Sequence, residues 1–195
     1  MKIICVGDSL TYGYPFGEKY SWTGIISGKK GWEMVNLGVN GESSGEILQR
    51  VRKHEYFKDG GSKIGSENKA DKVTIMCGSN DFVYDLGGVN DVLVNTLQMV
   101  LMAKDEGIRP VVMIPALCEP AQAREAWMDG LGVDYEKVNS QLLALGKELK
   151  AAKDRFDFEL IDIQTGYEKY HKYVDGLHPT KEGYELIAQI VKEEL

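Results

Sequence analysis

Five short runs of apolar residues, rich in Val and Ile, recur along the chain and predict the strands of one sheet. Within each run the hydrophobicity is continuous rather than alternating, which is typical of parallel strands that are covered on both faces. The predicted strands are Lys2–Val6, Glu33–Leu37, Lys72–Cys77, Arg109–Ile114 and Phe158–Ile163. Segments with helical spacing separate them, so the pattern predicts βαβ units with right-handed crossovers.

The helices between these strands carry N-terminal capping signals. Ser43-Ser44-Gly45-Glu46 has the form of a capping box, which opens a helix that extends to about Tyr56. Three later helices each follow a polar residue that can cap them: Asp91–Glu106 after Asn90, Tyr135–Lys153 after Asp134, and Lys181–Glu194 after Thr180. Strands and helices in this alternation predict one domain over residues 1–195. The predicted fold is an α/β three-layer α/β/α sandwich with a flavodoxin-like parallel sheet in the order 2-1-3-4-5.

Two stretches fit this pattern poorly. Lys58–Ala70 is polar and Gly-rich, and is predicted to be a surface loop or insertion before the third strand. Pro115–Val133 follows the fourth strand and carries, outside clear helical spacing, Leu117, Trp127, Met128 and Leu131. This second stretch could be a loop packed on its own apolar residues, or a wall or lid over a substrate.

Charge and cysteine content narrow the possible partners. A net charge of −7 argues against nucleic acid or an anionic membrane as the main partner, and no stretch approaches the ~20 apolar residues of a membrane span. Met1–Gly7 has too short an apolar run for a signal peptide, so we expect a cytoplasmic protein. Cys5 and Cys77 are expected to be buried in strands, whereas Cys118 lies in a predicted loop and could be exposed.

Four segments, far apart in sequence, place chemically useful residue types at the predicted sheet. They are Gly7-Asp8-Ser9-Leu10, Gly38-Val39-Asn40-Gly41, Gly78-Ser79-Asn80-Asp81 and Asp175-Gly176-Leu177-His178-Pro179. Ser9, Gly38 and Asn80 each follow a predicted strand by one to three residues. Because the carboxyl ends of parallel strands meet at one edge of a sheet, we expect these three residues to converge.

A serine becomes a nucleophile only when a neighbouring base accepts its proton. His178 is the best candidate base, because His54 and His171 lie in charged segments and are predicted to be solvated. Asp175, three residues earlier, can accept the Nδ1 proton and leave Nε2 to face Ser9. An aspartate and a histidine just before a helix are also common as ordinary capping residues.

The negative charge that develops on an ester carbonyl needs donors fixed in advance. The Ser9 N–H, the Gly38 N–H, which no Cβ shields, and the Asn80 amide can supply them. A turn glycine and an asparagine that caps its own turn would be the structural alternatives for the last two residues. The joint placement of these groups with Ser9 favours an oxyanion hole.

These segments resemble the characteristic blocks of the GDSL (SGNH) hydrolase family, which is named for its Ser, Gly, Asn and His. The full GDSL sequence stands at residues 7–10, and the similarity extends from the first strand to the last helix. The resemblance implies the three-layer fold, hydrolysis of acyl esters or thioesters, and neither metal nor cofactor. Carried onto matching positions, it makes Ser9 the nucleophile, Gly38 and Asn80 the oxyanion donors beside the Ser9 N–H, His178 the base and Asp175 its orienting carboxylate.

The substrate is less defined than the chemistry. Small soluble acyl esters are favoured, with lysophospholipids and acyl thioesters as alternatives, and the candidate substrate contacts are Asp8, Leu10, Leu117 and Trp127. A flavodoxin-like binding module, with a phosphate on the loop Asp8–Gly13, would leave Asp175 and His178 without a role. A phospho-receiver lacks a clear lysine after the fifth strand. A fold kept only for interaction would not need every catalytic residue type.

Overall fold

The computed structural model describes residues 1–127, 132–167, 170 and 172–195, with the backbone alone at residues 29 and 30. Met128, Leu131 and His171, which entered the sequence interpretation, lie outside the described residues. The described chain contains a five-stranded parallel sheet in the order β2-β1-β3-β4-β5, which confirms the predicted order. The strands are β1 (Lys2–Gly7), β2 (Glu33–Gly38), β3 (Lys72–Met76), β4 (Arg109–Ile114) and β5 (Glu159–Asp162).

Helices cover both faces of this sheet and complete the predicted three layers. They are α1 (Ser9–Tyr12), α2 (Trp22–Lys30), α3 (Ser44–Lys53), α4 (Lys58–Gly61), α5 (Ser79–Val83), α6 (Val89–Asp105), α7 (Pro120–Ala126), α8 (Tyr135–Phe156), α9 (Ile163–Tyr167) and α10 (Lys181–Glu194). A single 3₁₀ turn, Glu18–Tyr20, precedes α2. No helix in the described ranges is both long and apolar enough to cross a membrane.

Two apolar layers hold the helices against the sheet. On one face Ile47 of α3, Val100 of α6 and Leu145 of α8 pack against the strands without exposed surface. On the other face Ile26 of α2 and Ile187 of α10 do the same. Each such side chain contributes about 1.5–3 kcal/mol on burial, so both faces of the sheet stabilise the fold. The strand residues serve both layers, which explains why their sequence is continuously apolar.

The helix boundaries confirm three predicted caps and correct one. Ser43 and Glu46 form the capping box of α3, Asp134 accepts from the Lys137 N–H, and Thr180 accepts from the Gly183 N–H. The prediction that Asn90 caps α6 is wrong.

Helix α6 starts earlier than predicted, and it is capped by a side chain of its own first turn. The helix begins at Val89 after Gly88, and the Asp91 carboxylate reaches back to accept the Gly88 N–H at 2.8 Å. The ends of two other helices also differ from expectation, because α3 stops at Lys53 and α8 continues to Phe156.

The polar stretch 58–70 encloses a buried ammonium group. Lys2 is only 3% exposed, and its Nζ donates to the carbonyl oxygens of Gly61, Ser66 and Asn68 at 2.9, 2.6 and 2.9 Å. A buried ammonium must have its protons accepted, and backbone carbonyls of this stretch supply the acceptors. The stretch is therefore more than a loose surface loop, although many of its side chains are exposed.

The described part of stretch 115–133 contains helix α7 and packs on the protein rather than projecting from it. Cys118 is 7% exposed, and its Sγ contacts the Tyr135 carbonyl oxygen at 3.6 Å, so the expectation of an exposed thiol is wrong. Burial raises the pKa of Cys118 to about 12, despite the opposing effect of a backbone hydrogen bond. Cys5 and Cys77 are buried in or beside strands, as predicted.

Candidate active site

A continuous chain of hydrogen bonds joins Ser9, His178 and Asp175 at the carboxyl edge of the sheet. The distance from Ser9 Oγ to His178 Nε2 is 2.9 Å, and that from His178 Nδ1 to Asp175 Oδ2 is 2.8 Å. A carboxylate only accepts, so the proton of the neutral imidazole sits on Nδ1 and leaves the Nε2 lone pair for the serine hydroxyl. The arrangement matches the geometry that serine activation requires.

The turn that carries the histidine is tightly held. Asp175 Oδ1 accepts the backbone N–H groups of Leu177 and His178 at 3.0 and 2.8 Å, while Oδ2 holds the ring. Gly176 has φ +80°, and a Cβ there would lie 2.3 Å from the Ala123 nitrogen of α7. The close approach to α7 and the left-handed backbone both require glycine at this position.

The electrostatics of the pair favour a charged Asp175. Burial alone would raise the pKa of Asp175, but the hydrogen bond and charge of His178 and the two backbone N–H groups outweigh it, and the pKa lies below its ordinary value. A carboxylate that stays ionised can hold the imidazole in one tautomer and stabilise the imidazolium that forms during a proton transfer.

Ser9 and Asn80 offer two donors that point to a common cavity. Ser9 is the first residue of α1, so its N–H lies at the open end of the helix. One amide hydrogen of Asn80 is committed to the Glu42 carbonyl oxygen at 2.9 Å, which fixes the amide plane. The second hydrogen of that amide is left for a ligand. The structure therefore brings together Ser9, Asn80, Asp175 and His178 as predicted from the sequence.

The prediction of Gly38 as an oxyanion donor is wrong. Gly38 is the last residue of β2 and pairs with Gly7, and its N–H donates to Asn36 Oδ1 at 2.9 Å. A Cβ on Gly38 would lie 2.2 Å from the Tyr12 nitrogen, so glycine is needed there for packing. Its donor is spent inside the protein, and Gly38 is not among the described residues that line the cavity.

Gly41, rather than Gly38, is the glycine of this segment that lies at the cavity. It lies in the loop after β2, has φ +81°, and lines the cavity next to Ser9 and Asn80. A Cβ built on Gly41 would meet nothing within 4 Å, so its backbone borders open space. No acceptor for the Gly41 N–H is found within the described residues. The second glycine of the Gly-Val-Asn-Gly segment was the available signal, since Gly38 falls inside the strand.

The cavity beside Ser9 has a volume of about 240 Å³ and walls that are mostly apolar. Of the four candidate substrate contacts, Leu10, Leu117 and Trp127 line it. The sequence interpretation missed several further lining residues, which come from helices α5 and α8 and from the loops after β1 and β4. They are Tyr14, Val83, Tyr84, Ala116, Cys118, Tyr135, Val138 and Leu142. Apolar positions on α5 and α8 are indistinguishable from core positions in the sequence alone.

Asp8, the fourth candidate substrate contact, is instead buried next to Ser9. It is 1% exposed, its Oδ1 accepts the Leu10 N–H at 2.9 Å, and its Oδ2 has no partner. Burial, only partly offset by the Leu10 N–H, raises the pKa of Asp8 to about 6. Asp8 thus serves as the cap of α1, and its prediction as a substrate contact is wrong.

Two aromatic rings lie beside the imidazole of His178. The ring of Tyr14 lies 4.5 Å from that of His178 between centroids, and the ring of Trp127 lies 6.1 Å away. Tyr173 Oη donates to the Leu117 carbonyl oxygen and ties the segment before His178 to the segment after β4. The Tyr14 and Trp127 rings thus contact the imidazole that Asp175 binds at Nδ1. Within the described ranges, no group of three His, Cys, Asp or Glu side chains is arranged to hold a metal ion.

The chain is similar to known proteins in its sequence pattern and in its fold. The model of the family described as GDSL-like Lipase/Acylhydrolase matches residues 3–191. No curated protein matches the chain in sequence.

Solved structures show the same fold at low identity. A lipolytic protein of the G-D-S-L family from Veillonella parvula shares 20% identity over 99% of this chain and 97% of its own, with a TM-score of 0.77. The lipase/acylhydrolase from Enterococcus faecalis shares 21% identity over 99% and 94% of the two chains, with a TM-score of 0.75. TesA shares 16% identity over 100% and 98%, with a TM-score of 0.72.

Proposed function

Because this chain belongs to the GDSL-like lipase/acylhydrolase family, a family of ester hydrolases, we propose that it hydrolyses carboxylic esters through an acyl-enzyme on Ser9. The observation that carries the proposal is the hydrogen-bonded chain from Ser9 to His178 to Asp175 at the mouth of an apolar cavity. A structural serine would not need a buried, oriented imidazole 2.9 Å from its hydroxyl.

In the first step Ser9 Oγ attacks the ester carbonyl carbon while His178 Nε2 takes the serine proton. The carbonyl oxygen becomes an oxyanion, which the N–H groups of Ser9 and Gly41 and the free amide hydrogen of Asn80 bind. Asp175 stabilises the imidazolium through Nδ1. The carbon–oxygen bond to the alcohol then breaks, and His178 gives its proton to the leaving alkoxide.

In the second step water replaces the alcohol. His178 removes a proton from this water as it attacks the acyl carbon, and the same donors bind the second oxyanion. Collapse of that intermediate breaks the bond to Ser9 Oγ, which takes the proton back from His178 and releases the acid. Every proton transfer passes through Nε2, so no other titrating group is required.

The apolar cavity is suited to the acyl part of the substrate. Its volume of about 240 Å³ corresponds to roughly eight groups of water or methylene size at ~30 Å³ each. The substrate class is then esters of short to medium-length acids, and acyl thioesters would use the same groups. A phosphate-binding role of the loop at residues 8–13 is disfavoured, because the Asp8 side chain already caps that helix end.

A fluorophosphonate probe tests the nucleophile directly. Mass spectrometry of the labelled protein should place the adduct on the peptide that contains Ser9, because among the described residues the Ser9 hydroxyl alone is hydrogen-bonded to an imidazole. Ser9→Ala should abolish both labelling and ester turnover, and Ser140→Ala, an exposed serine on α8, should change neither. Labelling at another serine, or turnover that survives in Ser9→Ala, would remove Ser9 from the mechanism.

A further inference from the structure

Arg50 of α3 binds two of the loops that surround Ser9 without lining the cavity itself. Its Nε lies 3.0 and 2.9 Å from the two carboxylate oxygens of Glu42, and its Nη2 lies 2.7 Å from Glu42 Oε2. The same Nη2 is 3.4 Å from the carbonyl oxygen of Gly7. Both charged side chains are largely buried, at 13% and 18% exposure, so this is more than a surface ion pair.

The two partners of Arg50 are each next to a group that the reaction uses. Gly7 ends β1 two residues before Ser9, and its carbonyl oxygen also accepts the Val39 N–H at 3.1 Å. Glu42 follows Gly41 directly, and the Glu42 carbonyl oxygen holds the Asn80 amide at 2.9 Å. One guanidinium group therefore connects the segments that carry all three oxyanion donors.

Arg50 is itself held in place from several sides. The Tyr56 ring lies 5.8 Å from its guanidinium carbon. Helix α3 is fixed at its other end, where Ser44 donates its N–H and Oγ–H to the Asp81 carboxylate at 2.8 and 2.6 Å. A planar guanidinium can bind the Glu42 carboxylate through two nitrogens and contact the Gly7 carbonyl oxygen at the same time. A lysine ammonium on a flexible stem cannot reproduce this pair of contacts.

We propose that Arg50 is a positioning residue that sets the spacing of the Gly41 and Asn80 donors relative to Ser9. The inference rests on the proposed function of the site. Without the guanidinium, the half-buried Glu42 carboxylate would lose its partner and turn towards water, and the loop that carries Gly41 would move with it. An oxyanion hole acts only when its donors stand at the right distance before charge develops, so a shift of the loop reduces the rate while substrate binding is largely kept.

The test compares Arg50→Lys with Arg52→Lys, its exposed neighbour on the same helix. Circular dichroism first establishes the temperature at which each variant is fully folded, and turnover is measured there. Arg50→Lys should lower kcat about 10- to 100-fold with KM within about twofold, the cost expected of a small displacement of catalytic groups. Arg52→Lys should leave kcat unchanged. If the folded Arg50→Lys protein turns over at the wild-type rate, Arg50 has only a structural role.

A double-mutant cycle shows whether Arg50 acts through the oxyanion donors. In an Asn80→Ala background, Arg50→Lys should cost much less in kcat than in the wild type, because part of its effect has already been removed. Fully additive losses would overturn the proposal. Glu42→Gln removes the charge of the other partner of the Arg50–Glu42 ion pair and should also lower kcat. This variant provides the test if Arg50→Lys fails to fold. Fluorophosphonate labelling of Ser9 in the wild type reports on the proposed function separately.

Discussion

A single asparagine shows how one side chain can divide its two donors between structure and chemistry. Asn80 follows Gly78, whose φ of +121° turns the chain sharply out of β3. The amide gives one hydrogen to Glu42 and keeps the other for the cavity. The structural bond restrains rotation of the amide, so the second hydrogen is aimed before a substrate arrives. Preorganisation of this kind is the main source of oxyanion stabilisation.

Replacing Asn80 tests this division. Asn80→Ala should lower kcat by roughly 100- to 1000-fold with KM little changed, since the lost interaction forms only in the transition state. Asn80→Asp keeps the shape but places a negative charge beside the oxyanion, and its loss should be at least as large. Asn90→Ala, at an exposed asparagine of α6, is the matched control. Near-normal turnover per folded molecule, together with lowered stability, would instead identify Asn80 as structural.

The sequence predicted which side chains converge at the site but not which backbone N–H group does. Ser9, Asn80, Asp175 and His178 carry functional groups whose types and order indicate a role. Glycine has none, so its role depends on which peptide N–H is left unpaired in three dimensions. Gly38 loses its N–H to Asn36, whose amide also donates to the Thr11 carbonyl oxygen at 2.8 Å. That network joins segments about 25 residues apart, and no local pattern reveals it.

Helix α8 contributes both to the core and to the cavity beside Ser9. Tyr135, Val138 and Leu142 repeat at helical spacing and line the cavity, while Leu145 and Leu149 continue the same stripe into the core. Together with Leu117 and Trp127 from the segment after β4, they form one wall of the cavity. The described part of stretch 115–133 therefore favours the interpretation as a cavity wall over that of a loop packed only on itself. The size of the cavity is therefore coupled to how α8 packs on the sheet.

Leu142→Ala should enlarge the cavity and shift the acyl-chain preference. We expect kcat/KM for a nitrophenyl ester two or three carbons longer to rise relative to a short ester by about 10-fold, since each methylene in an apolar pocket is worth about 1–3 kcal/mol. Leu149→Ala is the matched control, because Leu149 is equally buried on the same helix but away from the cavity. Both variants should lose about 2–5 kcal/mol of unfolding free energy. An equal change of the chain-length ratio in both would refute the assignment of Leu142 to the acyl wall.

At the level of elements, predictions succeeded where local pattern determines structure. The strands were found because burial on both faces leaves a continuous apolar run, and three helix caps because a side chain bonds its own first turn. The cap of α6 was missed because the capping side chain, Asp91, lies inside the helix and accepts the N–H of Gly88, which precedes it. The ordered conformation of stretch 58–70 could not be predicted from its own sequence, because it depends on hydrogen bonds from the Lys2 ammonium, about 60 residues earlier in the chain.

At the scale of the whole molecule, two carboxyl groups at the same edge of the sheet differ in how deeply they are buried. Asp8 lies at the carboxyl end of the second strand in the sheet order, under the nucleophile, and Asp81 and His178 are near enough to influence it electrostatically. Asp175 sits at the rim of the same edge and is partly solvated. The two carboxyl groups therefore experience opposite effects: burial dominates for Asp8, and hydrogen bonds and charge dominate for Asp175.

These opposite shifts predict opposite effects of pH on stability. The pKa of Asp8 is about 6 in the folded protein against an ordinary 3.8, so folding favours its protonated form. Its stabilising contribution is about 3 kcal/mol well below pH 4, declines as the pH rises above 4, and is lost as the pH passes through about 6. Asp175 has a lowered pKa, so its contribution is present at neutral pH and is lost as the pH falls below about 4.

Urea unfolding of Asp8→Asn across a pH series tests the larger of these effects. Asparagine can still cap α1 but does not titrate, so the wild-type unfolding free energy minus that of the variant should fall by about 2 kcal/mol between pH 4 and pH 6 and become constant above about pH 7. Asp175→Asn is the opposite case: because the pKa of Asp175 is lowered, its difference from the wild type should shrink as the pH falls below about 4. A wild-type minus Asp8→Asn difference that does not change between pH 4 and pH 6 would show that Asp8 titrates alike in the folded and unfolded chain. In that case the carboxyl behind Ser9 would already be charged at pH 5, whereas a pKa of about 6 leaves it mostly protonated there and ionises it only as the pH approaches neutrality.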